Sequence, residues 1–174
     1  TTDGSSWSPP VRISTGVAYG VTLAMARNGT GHAAYSKQGG GYWSLVTAYY
    51  DGTSWTESAK PVEPQSNYGD FEPQIALGAL GDGLMIYGKG WGVAGTVLTG
   101  TTFTTPLMLD PNHETVTGYN PSLAVNRKGE GVVVWTESTG GSTAILGRTY
   151  SPAVSWSSVI PPIERYFRGF GGKL

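Results

Sequence analysis

Three stretches superimpose residue by residue: Leu23-Ala-Met-Ala-Arg-Asn-Gly-Thr-Gly-His-Ala-Ala-Tyr35, Ile75-Ala-Leu-Gly-Ala-Leu-Gly-Asp-Gly-Leu-Met-Ile-Tyr87 and Leu123-Ala-Val-Asn-Arg-Lys-Gly-Glu-Gly-Val-Val-Val-Trp135. Each reads apolar-Ala-apolar, a short polar link, Gly-x-Gly, then an apolar run that ends in an aromatic. Gly29/Gly31, Gly81/Gly83 and Gly129/Gly131 recur at spacings of 52 and 48. A second marker runs in step: Trp7, Trp55, Phe103 and Trp156 are separated by 48, 48 and 53 residues. Two independent markers on one period define a repeat of about 50 residues, the scale of solenoids and propellers.

Each unit holds four strand-like runs. They fall at about 21–26, 32–36, 44–50 and 54–60, then 73–78, 83–88, 93–98 and 102–109, then 121–125, 131–137, 143–149 and 155–160. The separators are turn chemistry: Asn28-Gly29, Gly39-Gly-Gly41, Asp51-Gly52, Gly81-Asp-Gly83 and Gly140-Gly141. Asn-Gly and Asp-Gly suit tight hairpins because both positions tolerate positive φ. No segment sustains a 3.6-residue period. The spacing therefore predicts an all-β protein of three four-stranded antiparallel β-propeller blades, half of a six-bladed ring or a piece of a larger one. The repeats run over about 14–62, 63–111 and 112–160, with an extra N-terminal outer strand over 7–13 and a C-terminal tail over 161–174.

The elements Glu72-Pro73, Asn120-Pro121, Tyr50-Asp51-Gly52-Thr53-Ser54-Trp55 and Asp3-Gly4-Ser5-Ser6-Trp7 carry a resemblance. Over about residues 3–160 the pattern resembles propellers of the sialidase and Asp-box superfamily and the related bacterial propeller lectins. The Asp-box reads Ser-x-Asp-x-Gly-x-x-Trp, and Asp51-Gly52-Thr53-Ser54-Trp55 lacks the residue between Asp and Gly. The resemblance implies a propeller fold and a glycan ligand. It also implies, for the sialidases, three arginines on a sugar carboxylate and a Tyr–Glu nucleophile. Arg27 and Arg127 sit at matching hairpin turns, away from the loops that enter the first strands, and no such triad emerges.

Composition narrows the classes. Lys and Arg number 11 against 12 Asp and Glu, for a net charge of -1. That balance, without a basic cluster, argues against a nucleic-acid or anionic-membrane partner. No apolar run is long enough for a membrane span, and the chain has no cysteine for disulfides or thiolate chemistry. Six Trp, ten Tyr and four Phe argue for a packed core. The opening residues have neither the basic nor the apolar region of a signal peptide. Low charge with many Ser, Thr and Gly leans towards an extracellular or cell-surface location.

Three blades would expose both terminal sheet faces, so a homodimer or a companion chain is expected to complete the ring. The tail, with Arg165, Arg168 and Lys173 among Tyr166, Phe167 and Phe170, is a candidate for docking on a neighbour.

Ligands of such folds meet the loops at one end. One loop set holds Tyr19-Gly20, Tyr68-Gly69-Asp70-Phe71-Glu72 and Gly118-Tyr119-Asn120, with a Tyr before each first strand. The second set holds Gly41-Tyr42-Trp43 and Gly88-Lys89-Gly90-Trp91. Aromatic faces stack on the apolar face of a pyranose, and Asp70, Glu72 and Asn120 would supply hydrogen bonds. The expected ligand-binding residues are therefore Tyr19, Tyr42, Trp43, Tyr68, Asp70, Glu72, Trp91, Tyr119 and Asn120. The same rings also suit blade junctions or edges, and that structural role stays open for each. A glycoside hydrolase would need two carboxyl groups astride the scissile bond, from Asp70, Glu72, Glu114 and Glu137. His32 reads as structural. His113, in Asp110-Pro-Asn-His-Glu114, reads mainly as turn chemistry. The expectation is a non-catalytic, lectin-like module for a glycan or small-molecule ligand, with no catalytic set, metal or cofactor. The alternatives are a glycan hydrolase or lyase and a protein-binding scaffold.

Overall fold

A computed structural model describes residues 8–66, 71–110, 117–139 and 142–158. Every regular element among them is a strand, and no helix there is long and apolar enough to cross a membrane. The strands form three separate antiparallel sheets. In the first, β1 (Ala18–Met25), β2 (Gly31–Gly39), β3 (Tyr42–Tyr50) and β4 (Trp55–Glu57) lie in chain order, and β5 (Glu63–Ser66) also pairs with β3. The second holds β6 (Gln74–Leu77), β7 (Gly83–Lys89) and β8 (Gly92–Thr99), with β9 (Thr102–Phe103) and β10 (Leu107–Met108) both on β8. The third runs β11 (Thr117–Val125), β12 (Gly131–Thr139), β13 (Ser142–Ser151), β14 (Ser155–Trp156).

The turns follow the residues that punctuate the repeat. Gly29, Gly81 and Gly129 have φ of 86°, 99° and 79°, a left-handed conformation that costs glycine nothing. The second glycine of each pair is there for room. A Cβ on Gly83 would strike the backbone of Ala76 and Leu77, and one on Gly131 would strike the side chain of Leu84. After β3, Asp51 Oδ1 accepts from the N–H groups of Thr53 and Ser54, both at 2.8 Å, and closes the turn into β4. These bonds, with that from the Thr53 hydroxyl, hold the Asp51 carboxyl well below the usual range.

The fourth strand differs from the expectation of one run per unit. In the first sheet it is split into β4 and β5, in the second into β9 and β10. Pro61 and Pro106 fall in the gaps, and proline has no N–H to give a ladder. The chain still follows the edge: Val62 N–H donates to Leu45 O and Leu109 N–H to Val93 O, both at 2.8 Å. Residues 63–66, placed in the second unit by the repeat boundaries, lie on the first sheet. Residues 8–13, within the outer strand expected over 7–13, join no ladder within this chain. Pro9 and Pro10 lack donors there, and the repeat places this segment at the edge of a sheet preceding the first.

Two apolar layers join the sheets. Ala34 and Leu45 of the first sheet pack with Ile75, Met85, Tyr87, Ala94 and Leu98 of the second. Ile86 and Val93, on the opposite face of the second sheet, pack with Val133, Trp135 and Leu146 of the third, and Leu109 joins them. Each such Val, Leu or Ile removed from water contributes about 1.5–3 kcal/mol. On the far face of the first sheet, Tyr35, Val46 and Ala48 gather under Ile13 and Trp55. The first strands β1, β6 and β11 adjoin one another in sequence order, which brings their entry points to one place.

Candidate ligand-binding site

At those entry points the three units repeat one backbone feature. Gly20, Glu72 and Asn120 stand three residues before Leu23, Ile75 and Leu123, and have φ of 60°, 44° and 51°. The ladder shifts register between Tyr19 and Thr22 in β1 and between Tyr119 and Ser122 in β11, the mark of a β-bulge. Left-handed backbone suits glycine and asparagine, but costs a residue such as glutamate about 1–2 kcal/mol. Together with Val21, Pro73, Gln74 and Pro121, these three residues line a cavity of about 390 Å³.

The aromatic candidates stand at the same end, where β1 begins and the β2–β3 and β7–β8 hairpins turn. Tyr19 is 56% exposed and lies on Trp43, ring centroids 5.4 Å apart at 59°. Trp43 itself is half-buried against the first apolar layer, so it supports Tyr19 rather than standing alone. Tyr42 is exposed, and Trp91 is 60% exposed at the tip of its hairpin, after Gly90 at φ 62°. Tyr68 and Asp70 lie outside the described residues, as do His113, Glu114 and the side chain of Tyr119.

In the second unit Tyr68 was expected to precede the first strand, and it lies outside the described residues. The register puts Phe71 at the place equivalent to Tyr19 and Tyr119, and Phe71 is buried. Its ring meets Tyr87 edge-on at 6.0 Å, and its N–H donates to Ser36 Oγ at 3.0 Å. Phe71 therefore seals the first and second sheets together. Glu137, a candidate acid, is buried on β12 beside the third sheet's core and not at this opening. His32 is structural: its ring is buried and its Nε2–H donates to Gly100 O at 3.1 Å.

The sequence reading missed Val21, Pro73, Gln74 and Pro121. Their signal was present in the shared offset from the Leu/Ile-Ala motif, but the left-handed turn that aims them is not written in Glu72.

Two further features bear on electrostatics. Burial pushes the Glu57 carboxyl up, but the Thr15 hydroxyl, the Lys37 ammonium and the Tyr35 phenol together hold it down to about 2. Tyr35 and Tyr87 are both pushed up, first by burial and then by donating to Glu57 and Glu63. A wider cavity, of about 760 Å³, lies elsewhere. It sits between the outer edges of the first and second sheets, walled by Lys60, Pro61, Lys89, Phe103 and Pro106. It is a gap between two interrupted edge strands, whereas the smaller opening draws equivalent residues from all three units. No protein-family model and no curated protein matches this chain.

Proposed function

We propose that the chain is a β-propeller-type recognition module that binds carbohydrate without cleaving it, at the opening around Gly20, Glu72 and Asn120. The observation that carries this reading is the threefold left-handed turn. It spends backbone strain at Glu72 to line one cavity with residues from three units, the polar side chains coming from the second and third, and strain of this kind collects at ligand sites. Glu72, Gln74 and Asn120 supply acceptors and donors for hydroxyl groups. Tyr19 backed by Trp43, with Tyr42 and Trp91 at the same end, supplies flat apolar faces for sugar rings. In this reading the protein works outside the cell or at its surface, and a second copy or companion chain completes the ring. Several similar loops then act together through effective concentration.

A glycan array compared across wild type, Tyr19→Ala, Trp91→Ala and Asn120→Ala tests it. Retention of a defined glycan class by wild type, lost by tenfold or more in Tyr19→Ala or Asn120→Ala, is the expected result. Equal binding by all four proteins would remove the site, and release of new reducing ends from a bound glycan would replace recognition with hydrolysis.

A further inference from the structure

We infer that the outer face of the third sheet docks head to tail on the outer face of the first sheet of a second copy of this chain. The inference deepens the assembly reading above and rests on it.

The internal junctions supply the template. His32, Ala34 and Leu45 of the first sheet face the second, and their ladder equivalents Leu84, Ile86 and Val93 face the third. The next equivalents, Val132, Val134 and Ile145, lie on the third sheet's outer face. Leu84, Leu45 and Val93 are 0% exposed, yet Val132 is 48% and Ile145 49% exposed. The receiving side shows the same break. Ile75 is 7% exposed against the first sheet, and Leu123 packs on the second, but Leu23 is 56% exposed. Each end of the array is thus half of one more junction, and the two halves are complementary. A single kind of chain suffices to fill both, and a first-on-last contact that closes after two copies makes two identical junctions about a twofold axis.

A second observation fits the same docking. Val62 and Leu109 lie seven and six residues after Trp55 and Phe103. Both bond to the third strand of their own sheet, at Leu45 O of β3 and Val93 O of β8, and pack into the junction that follows. Ile13 lies six residues after Trp7 and already packs with Tyr35, Val46 and Ala48.

Light scattering and cross-linking test the proposal, and the chain has no cysteine to interfere. Wild type is expected at about twice the single-chain 18.3 kDa. Leu23→Cys and Ile145→Cys are prepared separately. A short bis-maleimide should join them when mixed and join neither variant to itself. Ile145→Lys should return the mass to one chain with an unchanged β-sheet circular dichroism spectrum. A doubled mass with self-linking of Leu23→Cys alone would overturn the head-to-tail faces while sparing assembly. A larger mass with the mixed cross-link retained would overturn the two-copy count. A single-chain mass at every concentration would overturn both the faces and the assembly reading.

Discussion

The junction between the first and second sheets and that between the second and third share an apolar layer, but their polar edges differ. In the former, Glu63 on β5 reaches across to accept from Tyr87 Oη at 2.8 Å and to pair with Lys89 Nζ at 2.9 Å. His32 adds a second bridge, to Gly100 O. In the latter, Asp110 follows Leu109 as Glu63 follows Val62, Trp135 stands for Tyr87, and Glu137 stands for Lys89. Asp110 and Glu137 are both buried there, and Asp110 attracts Arg148 of β13 against the burial that lowers its pKa. The comparison teaches that apolar positions exchange freely within the pattern, since Ala34, Ile86 and Val134 serve one place. Polar partners change as a set, because an acid deprived of its partner at a buried junction costs more than it contributes.

The largest effect should come from removing the apolar layer where it is closed. Leu84→Ala is expected to cost about 2–5 kcal/mol in urea unfolding. Val132→Ala, the same repeat position on the outer face, should cost about 0.5 kcal/mol or less. Both are to be read in the Ile145→Lys background, which keeps the chain single. Equal losses would mean that the terminal face is packed in the isolated chain.

Tyr87→Phe deletes the hydroxyl that anchors Glu63 and should cost about 1 kcal/mol. Lys89→Met should cost less, because the Lys89 side chain is 41% exposed and its ion pair is screened. A double-mutant cycle in which Lys89 dominates would reverse this ranking.

The histidine bridge should make the first junction pH-sensitive. Burial lowers the His32 pKa below 6.5, offset in part by the bond to Gly100. Its Nδ1 is buried without a partner among the described residues. The unfolded chain therefore binds the proton first. Stability is full above pH 6.5 and declines as pH falls below it, towards the lower native value. His32→Leu installs the residue of the second junction, and should flatten urea midpoints measured between pH 7.5 and 5. An unchanged slope would assign the dependence to another group.

The smallest effect contrasts the site with the scaffold. Glu72→Gly relieves the left-handed backbone and should raise stability by about 0.5 kcal/mol, while weakening retention on any glycan that wild type binds. A loss of stability would mean that the Glu72 side chain braces the opening.

The repeat, its period and its all-strand character were legible in sequence. Gly29/Gly31 and their echoes mark turns whose chemistry is local, and alternating apolar runs declare two-faced strands. The split fourth strands were half legible: Pro61 and Pro106 announce an interruption, but the carbonyls that keep the chain on its edge belong to β3 and β8. The candidate site was less legible still. Trp43 and Trp91 look alike in sequence, and only packing shows one half-buried under Tyr19 and the other exposed. Phe71 hid the register because its buried ring performs a junction role that Tyr19, exposed on the first sheet, does not.

The sequence by itself determined the units: which residues turn, which alternate, and that every sheet has two apolar faces to cover. Those properties are set by neighbours two to four residues apart along the chain. Tertiary structure alone decided which faces are covered. Leu84 and Val132 hold the same place in the repeat, and only the presence of a following sheet makes one buried and leaves the other at the surface.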